Sequence, residues 1–598
     1  MALSKKILSL TLLSFLLKNS LEGQKVASIS PQEKMRMKSL ELLETNKHTG
    51  LSECEISEET LLKSHILYLV SKGDHVKGLK KYQEYYQKSQ EHDFFLLREI
   101  ALHIIEDGLT KGSEIDSLLA LIAIEISNET SFTHYLGKLI TSRFFPVQAK
   151  TLSVLKSIDN EYSDMLIKSC LSSNFIMLRL QALSILVQKH NQTALGQVEA
   201  LMNSVHKHYH PLFVDFFALS GTKYAISMMK QMMSDKDLNL NLATILAARN
   251  HRIEELIPNL RNSLTHTSPF IQEAAAFALG SFHDAHSISK LEHLSNSPHL
   301  ETKLAALHAL YILGKTEVKE KIHELARGGN LFAIRLIATI SESEKTLHEI
   351  YYSDDNLLRI NSALSLLDQK DPLCLKVIKD LIFLDPTNHY LEICSSQGRS
   401  YFAIKIKPLA SLEEKQMVQM VQQQTLMIQN DLLKKSIELP RALFMTLIEE
   451  IFLTKRNHLI PTAISLLENF DDKEAYEILE HKAKMPGAPF IRTCCHLSLW
   501  KSTRKEIHKE AIIGWIKEFG KNELIQVSEK PTQKSEKKGS IPGYELTLEE
   551  KSHLLIEAFL HICATHEKSG LDCIIEAMIS GHEKNRTPLA GVLLKTIQ

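Results

Sequence analysis

Glycine and proline are scarce, 22 and 16 in 598 residues, well under their usual combined share of roughly 12%. So few turn formers argue against an all-β protein of many short strands. Charge of one sign is also lacking: Lys plus Arg is 70 and Asp plus Glu is 71, a net of -1. That balance gives no support to wholesale nucleic-acid binding, which shows a basic excess, or to a polybasic membrane clamp. The eight cysteines, Cys54, Cys170, Cys374, Cys394, Cys494, Cys495, Cys563 and Cys573, are scattered with no C-x-x-C spacing. A large exported protein builds its core without disulfides, so this count neither demands nor excludes an oxidising compartment. The phosphate-loop, dinucleotide-binding, nucleophile-elbow and H-E-x-x-H patterns are all missing.

What is present begins at the N-terminus. Lys5 and Lys6 precede Ile7 to Leu17, a run of eleven apolar, Ser and Thr residues. A bilayer span needs about 20 residues, so the run has instead the length of a signal h-region. Gly23 and Ala27 are small, but Leu21 and Lys25 before them spoil an A-x-A cleavage site, and no Cys follows for lipidation. The expectation is export to the periplasm or cell envelope of a bacterium. The alternative is a cytoplasmic protein with an amphipathic first helix. With 44% hydrophobic residues the chain has ample material for a large core.

Internal repeats organise that material. The clearest unit is Pro269-Phe270-Ile271-Gln272-Glu273-Ala274-Ala275-Ala276-Phe277-Ala278-Leu279-Gly280. Steps of 31 from Ile271 reach Leu240, Leu178 and Val147, and a forward step takes Ala278-Leu279 to Ala309-Leu310. The intervening copy is out of phase, with Phe213 to Leu219 as its expected equivalent. Ile334-Arg335 and Leu358-Arg359 continue with looser spacing. Pro489-Phe490-Ile491-Arg492-Thr493-Cys494-Cys495 echoes the same unit downstream. A period near 31 holds two helices of about 12 residues and two short turns, and the apolar spacing i, i+3, i+4, i+7 is helical. One such pair cannot bury its apolar face alone, so the array is the folding unit.

The Pro-x-[Ile/Val]-[Arg/Gln]-x-x-Ala-x-x-Ala-Leu-Gly pattern resembles a HEAT repeat, particularly the short PBS-lyase-like variety. Copies cover about 145–370 and about 455–500. The resemblance implies an all-α, α-α superhelix of the ARM/HEAT solenoid type, with ends free to flex, used mainly as a protein-binding scaffold. The expected organisation is a signal-like segment 1–27; helical hairpins 28–143, loosely similar to tetratricopeptide repeats; and the array 144–384. An irregular joint at 385–411 follows, with Tyr401 to Pro408 as a strand pairing Tyr390 to Cys394. Then come helical repeats 412–525, a flexible loop 526–546 and terminal helices 547–598.

Each chemical constellation has a structural reading beside it. His206, His208 and His210, with Asp215 near, could share one side of a loop as metal ligation needs; a solvated loop is the plainer reading. The same holds for His283 and His286. Cys494 and Cys495 fall on small-residue packing positions, where free Cys behaves as a small hydrophobe, with His496 beside them. His561, Cys563 and His566 do not share one helix face. HEAT-like di-iron hydroxylases need His-Glu dyads where this chain has Gln272-Glu273, Thr302-Lys303 and Arg179-Leu180. The His-Glu pairs at His323, His348, His566 and His582 lie elsewhere. Arg179, Arg335, Arg359 and Arg492 recur at one repeat position and, by the resemblance, pair with acids of adjacent repeats rather than with nucleic acid. No catalytic, cofactor-binding or metal residue is assigned and no cofactor is expected. The expected partner is a protein, not nucleic acid, with no stable membrane span. The favoured function is a non-enzymatic scaffold; the alternatives are a HEAT-like enzyme or cofactor-handling lyase with acid, His or aromatic groups converging in the groove, and a cytosolic adaptor.

Overall fold

The computed structural model describes residues 58–189, 194–412, 415–454, 456–486, 489–525, 548–564 and 568–598. The signal-like segment 1–27, Cys54, the loop 526–546 and His566 lie outside them. The chain divides into two compact units, Met1–His65 and Ile66–Gln598. Of the first, residues 58–65 are described and are helical. The second is an all-α solenoid carrying one β-hairpin.

In this second unit one helix of each pair belongs to an inner series. Its first members are α1 (Glu114–Ser127), α2 (Phe145–Ser157), α3 (Ile176–Gln188), α4 (Val214–Ser220), α5 (Leu238–Asn250), α6 (Pro269–Ser281) and α7 (Leu300–Ile312). Each packs on the next. The helix Lys319–Arg327 links α7 to α8 (Leu331–Leu336), and α8 packs on α9 (Asn356–Asp368). Past the hairpin come α10 (Lys415–Ser436), α11 (Ile460–Leu467), α12 (Pro489–Thr503), α13 (Leu548–Cys563) and α14 (Arg586–Ile597), again each on the next. Helices α2, α3, α5, α6, α7 and α8 start 31 residues apart, or twice that across α4. The out-of-phase copy behaves as its sequence implied: Lys207–Phe213, containing Pro211, forms a 3-10 stretch and α4 begins only at Val214. In α6, Pro269 sits in the first turn, where its missing N–H has no intrahelical partner anyway. Ala274, Ala275, Ala276 and Ala278 are buried, and such small side chains bring neighbouring helices close.

The ends depart from the expectation of a free-ended array: they meet. α14 packs on α1 and on the helix Phe94–Thr110, and the helix Lys568–Ser580 packs on His75–Ser89. The contact is backbone-close. A Cβ on Gly591 would lie 2.5 Å from the Ala123 carbonyl oxygen and 2.6 Å from its Cα, so only glycine fits. Around it, Gln598 donates to Glu129 at 3.3 Å, and the Lys568 ammonium sits 4.9 Å from the Tyr86 ring centroid. His92 Nε2 lies 3.4 Å from Asp572. The cause is apolar surface on both partners. Leu118, Leu119, Ala120, Leu121, Ala123 and Ile124 of α1 are buried, as are Leu589, Ala590, Val592, Leu593 and Leu594 of α14. The ends of an open array carry a polar outer face. These helices are apolar nearly all round, and such helices are buried ones.

Candidate functional site

The joint expected at 385–411 is a β-hairpin lying against the inner series. β1 (His389–Ser395) and β2 (Phe402–Pro408) are antiparallel, with Ile393 opposite Ile404. β2 rests on α8 and α9, and β1 on α10. A two-stranded ribbon leaves two unpaired edges, and inner helices satisfy part of each. The Asn361 amide of α9 accepts from Ile404 N–H at 3.0 Å and donates to the Ile404 carbonyl at 2.9 Å. On the other edge, Thr425 Oγ1 of α10 accepts from Leu391 N–H at 2.9 Å.

The turn of the hairpin is held by a buried acid. Glu273, on α6 and 1% exposed, accepts from Ser396 Oγ at 2.5 Å and from Gly398 N–H at 2.8 Å. Burial pushes its carboxyl above the usual range, and the donors of Ser396, Gly398 and Ser400 pull the other way by favouring the charged form. Gly398 must be glycine: a Cβ there would stand 2.7 Å from the Glu273 carboxyl carbon and from the Phe270 carbonyl oxygen. The turn therefore alternates. Ser396, Gly398 and Ser400 are buried toward Glu273, while Gln397 and Arg399 are exposed.

Behind the turn, Tyr401 is 5% exposed and its ring meets Phe277 of α6 edge-on at 5.1 Å. Its hydroxyl lies 3.3 Å from His308 Nδ1 on α7. Burial lowers the His308 pKa to about 4 and raises that of Tyr401 well above its usual value. Arg249 of α5 covers the other side, its guanidinium 4.8 Å from the Phe277 ring centroid. An acid, a histidine, an arginine and aromatics thus converge in the groove, but they face the chain's own hairpin.

Beside the turn lies an apolar ledge. Exposed side chains stand in the first turns of several inner helices: Ile176 and Met177 on α3, Leu238 on α5, Phe270 on α6 and Leu300 on α7; α4, between α3 and α5, begins instead on the buried Val214. The starts of α6 and α7 touch, since Thr302 donates to the Pro269 carbonyl at 3.0 Å, and so do those of α2 and α3, where the Phe145 and Phe175 rings stand 5.2 Å apart. Ile176, Leu238 and Leu300 stand 62 residues apart, two repeat lengths, which is visible in the sequence; their exposure is not.

The residues singled out by sequence are placed as follows. His206 accepts from His208 N–H at 3.2 Å, and Asp215 turns instead to His251 at 3.4 Å. His283 takes a left-handed turn after α6, and His286 lies in the next 3-10 turn. Cys495 is fully buried on α12 and burial pushes the Cys494 thiol up to about 12. His496 pairs with His508 at 3.1 Å. His561 lies 3.8 Å from Glu557, and the Cys563 thiol donates to the Gly570 carbonyl at 3.3 Å. Arg335 does bind across repeats, to Asp368 at 2.8 Å and Ser365 at 3.0 Å. Arg359 instead reaches Asn356 in its own helix at 2.9 Å. Among the described residues, three metal-capable side chains come together at Glu344, His348 and Asp371, with ligand atoms within 4.8 Å of one another. His348 and Asp371 already pair at 2.6 Å.

Residues 226–311 match a family model for HEAT repeats. No curated protein matches the chain. Among solved structures, the karyopherin Kap121p bound to the extreme C-terminus of the protein phosphatase Cdc14p is 12% identical, with a TM-score of 0.36. That alignment covers 86% of this chain and 66% of the other. Importin beta is 12% identical over 87% of this chain and 67% of its own, with a TM-score of 0.24. The Kap95:Nup1 complex is 11% identical over 96% and 81%, with a TM-score of 0.28. No helix among the described residues is long and apolar enough to cross a membrane.

Proposed function

We propose that this HEAT-repeat protein is a non-enzymatic scaffold that binds a partner protein along the edge formed by the starts of its inner helices. One observation carries the reading. Large apolar side chains stand exposed there on α3, α5, α6 and α7, with Met177 at 56% and Leu300 at 50%. Contiguous exposed apolar surface marks interaction sites on soluble proteins. The groove over α6 to α10 is taken by the hairpin, so the partner meets the edge rather than that stretch of the concave face. An enzyme on this fold would need groups turned toward a substrate. Here Glu273 and Tyr401 are both engaged at the hairpin turn.

The signal-like start supports placing this role in the periplasm or cell envelope. One experiment addresses both parts. The endogenous protein is crosslinked in fractionated cells, recovered, and read for intact mass and attached proteins. Loss of about 20–27 residues, the length of a signal segment, is expected in the envelope or periplasmic fraction. A defined partner is expected, and it should be lost in the folded double variant Met177→Asp, Leu300→Asp. Full-length protein in the cytosol would sink the export reading. A partner retained by the double variant would sink the ledge.

A further inference from the structure

The hairpin turn and the ledge meet in one place. A cleft of about 280 Å³ is lined by Leu238 and Leu242 of α5, Phe270 and Ile271 of α6, and Gln397 and Arg399 of the turn, beside Asn239. Its floor is apolar, supplied by two successive inner helices. The side chains on its turn side are polar. Arg399 is the one charged residue in this lining, and it has no ion-pair partner among the described residues. The first turn of α6 lacks a side-chain cap, and an uncapped helix start adds potential of the same sign.

Arg399 is not placed there by chance of a loose loop. Its backbone takes a left-handed conformation, φ 53°, which a non-glycine residue adopts at some cost. The cost is met by the buried Glu273 carboxylate, which ties down Ser396 and Gly398 on either side of Gln397. The alternation of the turn then presents Gln397 and Arg399 outward over Leu238 and Phe270. A buried acid thereby fixes two neighbouring side chains that make no such contact themselves.

We infer that this cleft is a specific docking point for an extended segment of a partner protein, one that presents a large aliphatic or aromatic side chain beside a carboxylate. The side chain enters between Leu238 and Phe270, and the carboxylate pairs with Arg399. Charge complementarity selects this occupant: the lining offers apolar surface, a single cation and no acid. The inference rests on the scaffold reading and adds the partner's chemistry to it.

The test uses the full-length protein and a library of random twelve-residue peptides displayed on phage. Selection is expected to enrich an apolar residue adjacent to Asp or Glu. A synthetic peptide of the enriched sequence, followed by fluorescence anisotropy, should bind about tenfold more weakly to Arg399→Ala. Binding should be lost in Arg399→Glu and partly restored when the peptide's acid is replaced by lysine. Leu238→Ser, a surface change, should weaken binding as well. Enrichment without an acid, no enrichment, or equal affinity for wild type and Arg399→Ala would each overturn the assignment. Failure of the wider reading looks different. If the ledge variant loses the cellular partner while Arg399→Ala keeps it, the cleft assignment falls and the scaffold stands. If the ledge variant keeps the partner, the scaffold reading falls first.

Discussion

The seam where the ends meet and the groove filled by the hairpin solve one problem in opposite ways. Both bring together residues far apart in the chain. At the seam the contact is backbone against backbone, Gly591 on Ala123, between helices that are apolar nearly all round. In the groove it is polar: Glu273, Asn361 and Thr425 each satisfy backbone or hydroxyl groups of the hairpin. Apolar burial is the larger driving force, so the seam supplies closure, with Gly591 setting how closely the two helices approach. Buried hydrogen bonds contribute less net energy but penalise every wrong alignment, so the groove supplies position. The difference suggests that the seam holds the array together and the groove holds the turn in place.

The largest expected effect tests the seam. Gly591→Ala lies inside α14, where replacing glycine ordinarily stabilises a helix by ~1 kcal/mol. Here the added Cβ meets the Ala123 backbone, which cannot rotate away, and the change should instead destabilise by about 3 kcal/mol or more. Hydrogen exchange should then rise in α1 and α14, while α5 to α7 stay protected. An unchanged exchange pattern would show that the seam is not backbone-close.

A middle-sized effect tests the groove. Glu273→Ala leaves the Ser396 hydroxyl and the Gly398 N–H buried without an acceptor. The expected loss is about 2–4 kcal/mol, with raised exchange at 396–401 and little change at the seam. Glu273→Gln keeps an acceptor and should lose less. Equal losses in both regions would mean that the two are one cooperative unit, and the contrast between them would fail.

The same contrast explains how far the sequence could be read. The helical array was legible because Pro269 to Gly280 and its copies carry period and punctuation locally. The hairpin was legible because Tyr401 to Pro408 alternates around a turn at Gln397-Gly398. The role of Glu273 was not, since its partners lie over a hundred residues away and a lone Glu in a helix reads as solvated. In the sequence it marks only a place where a His-Glu dyad is missing. The cleft beside Arg399 was hidden for the same reason, because it joins α5, α6 and the turn. The seam did leave a trace: Leu589 to Leu594 and Leu118 to Ile124 are apolar without a polar face. Terminal helices of that kind must be covered by something.

The smallest expected effect concerns acid. His308 is held neutral beside Tyr401, with burial lowering its pKa to about 4, below the unfolded value of about 6.5. Between those values the unfolded chain binds a proton that the folded chain does not. The folded state therefore keeps its full contribution above about pH 6.5 and loses it as pH falls toward about 4. His308 is partly accessible, so the loss should be modest, about 1–3 kcal/mol over that window. His458 and His496, also lowered to about 4 by burial, add to the same trend; between α1 and α14 neither Gly591 nor Ala123 titrates, and the seam's titrating group is His92, lowered by burial against the pull of Asp572. Thermal unfolding followed from pH 7 to pH 4.5 should show a falling midpoint, with exchange around Tyr401 rising before exchange at α1 and α14. In His308→Gln, which cannot take up a proton, the hairpin should lose part of this acid sensitivity while the seam behaves as in the wild type. An acid response that begins at the seam would reverse the assignment of positional control to the groove.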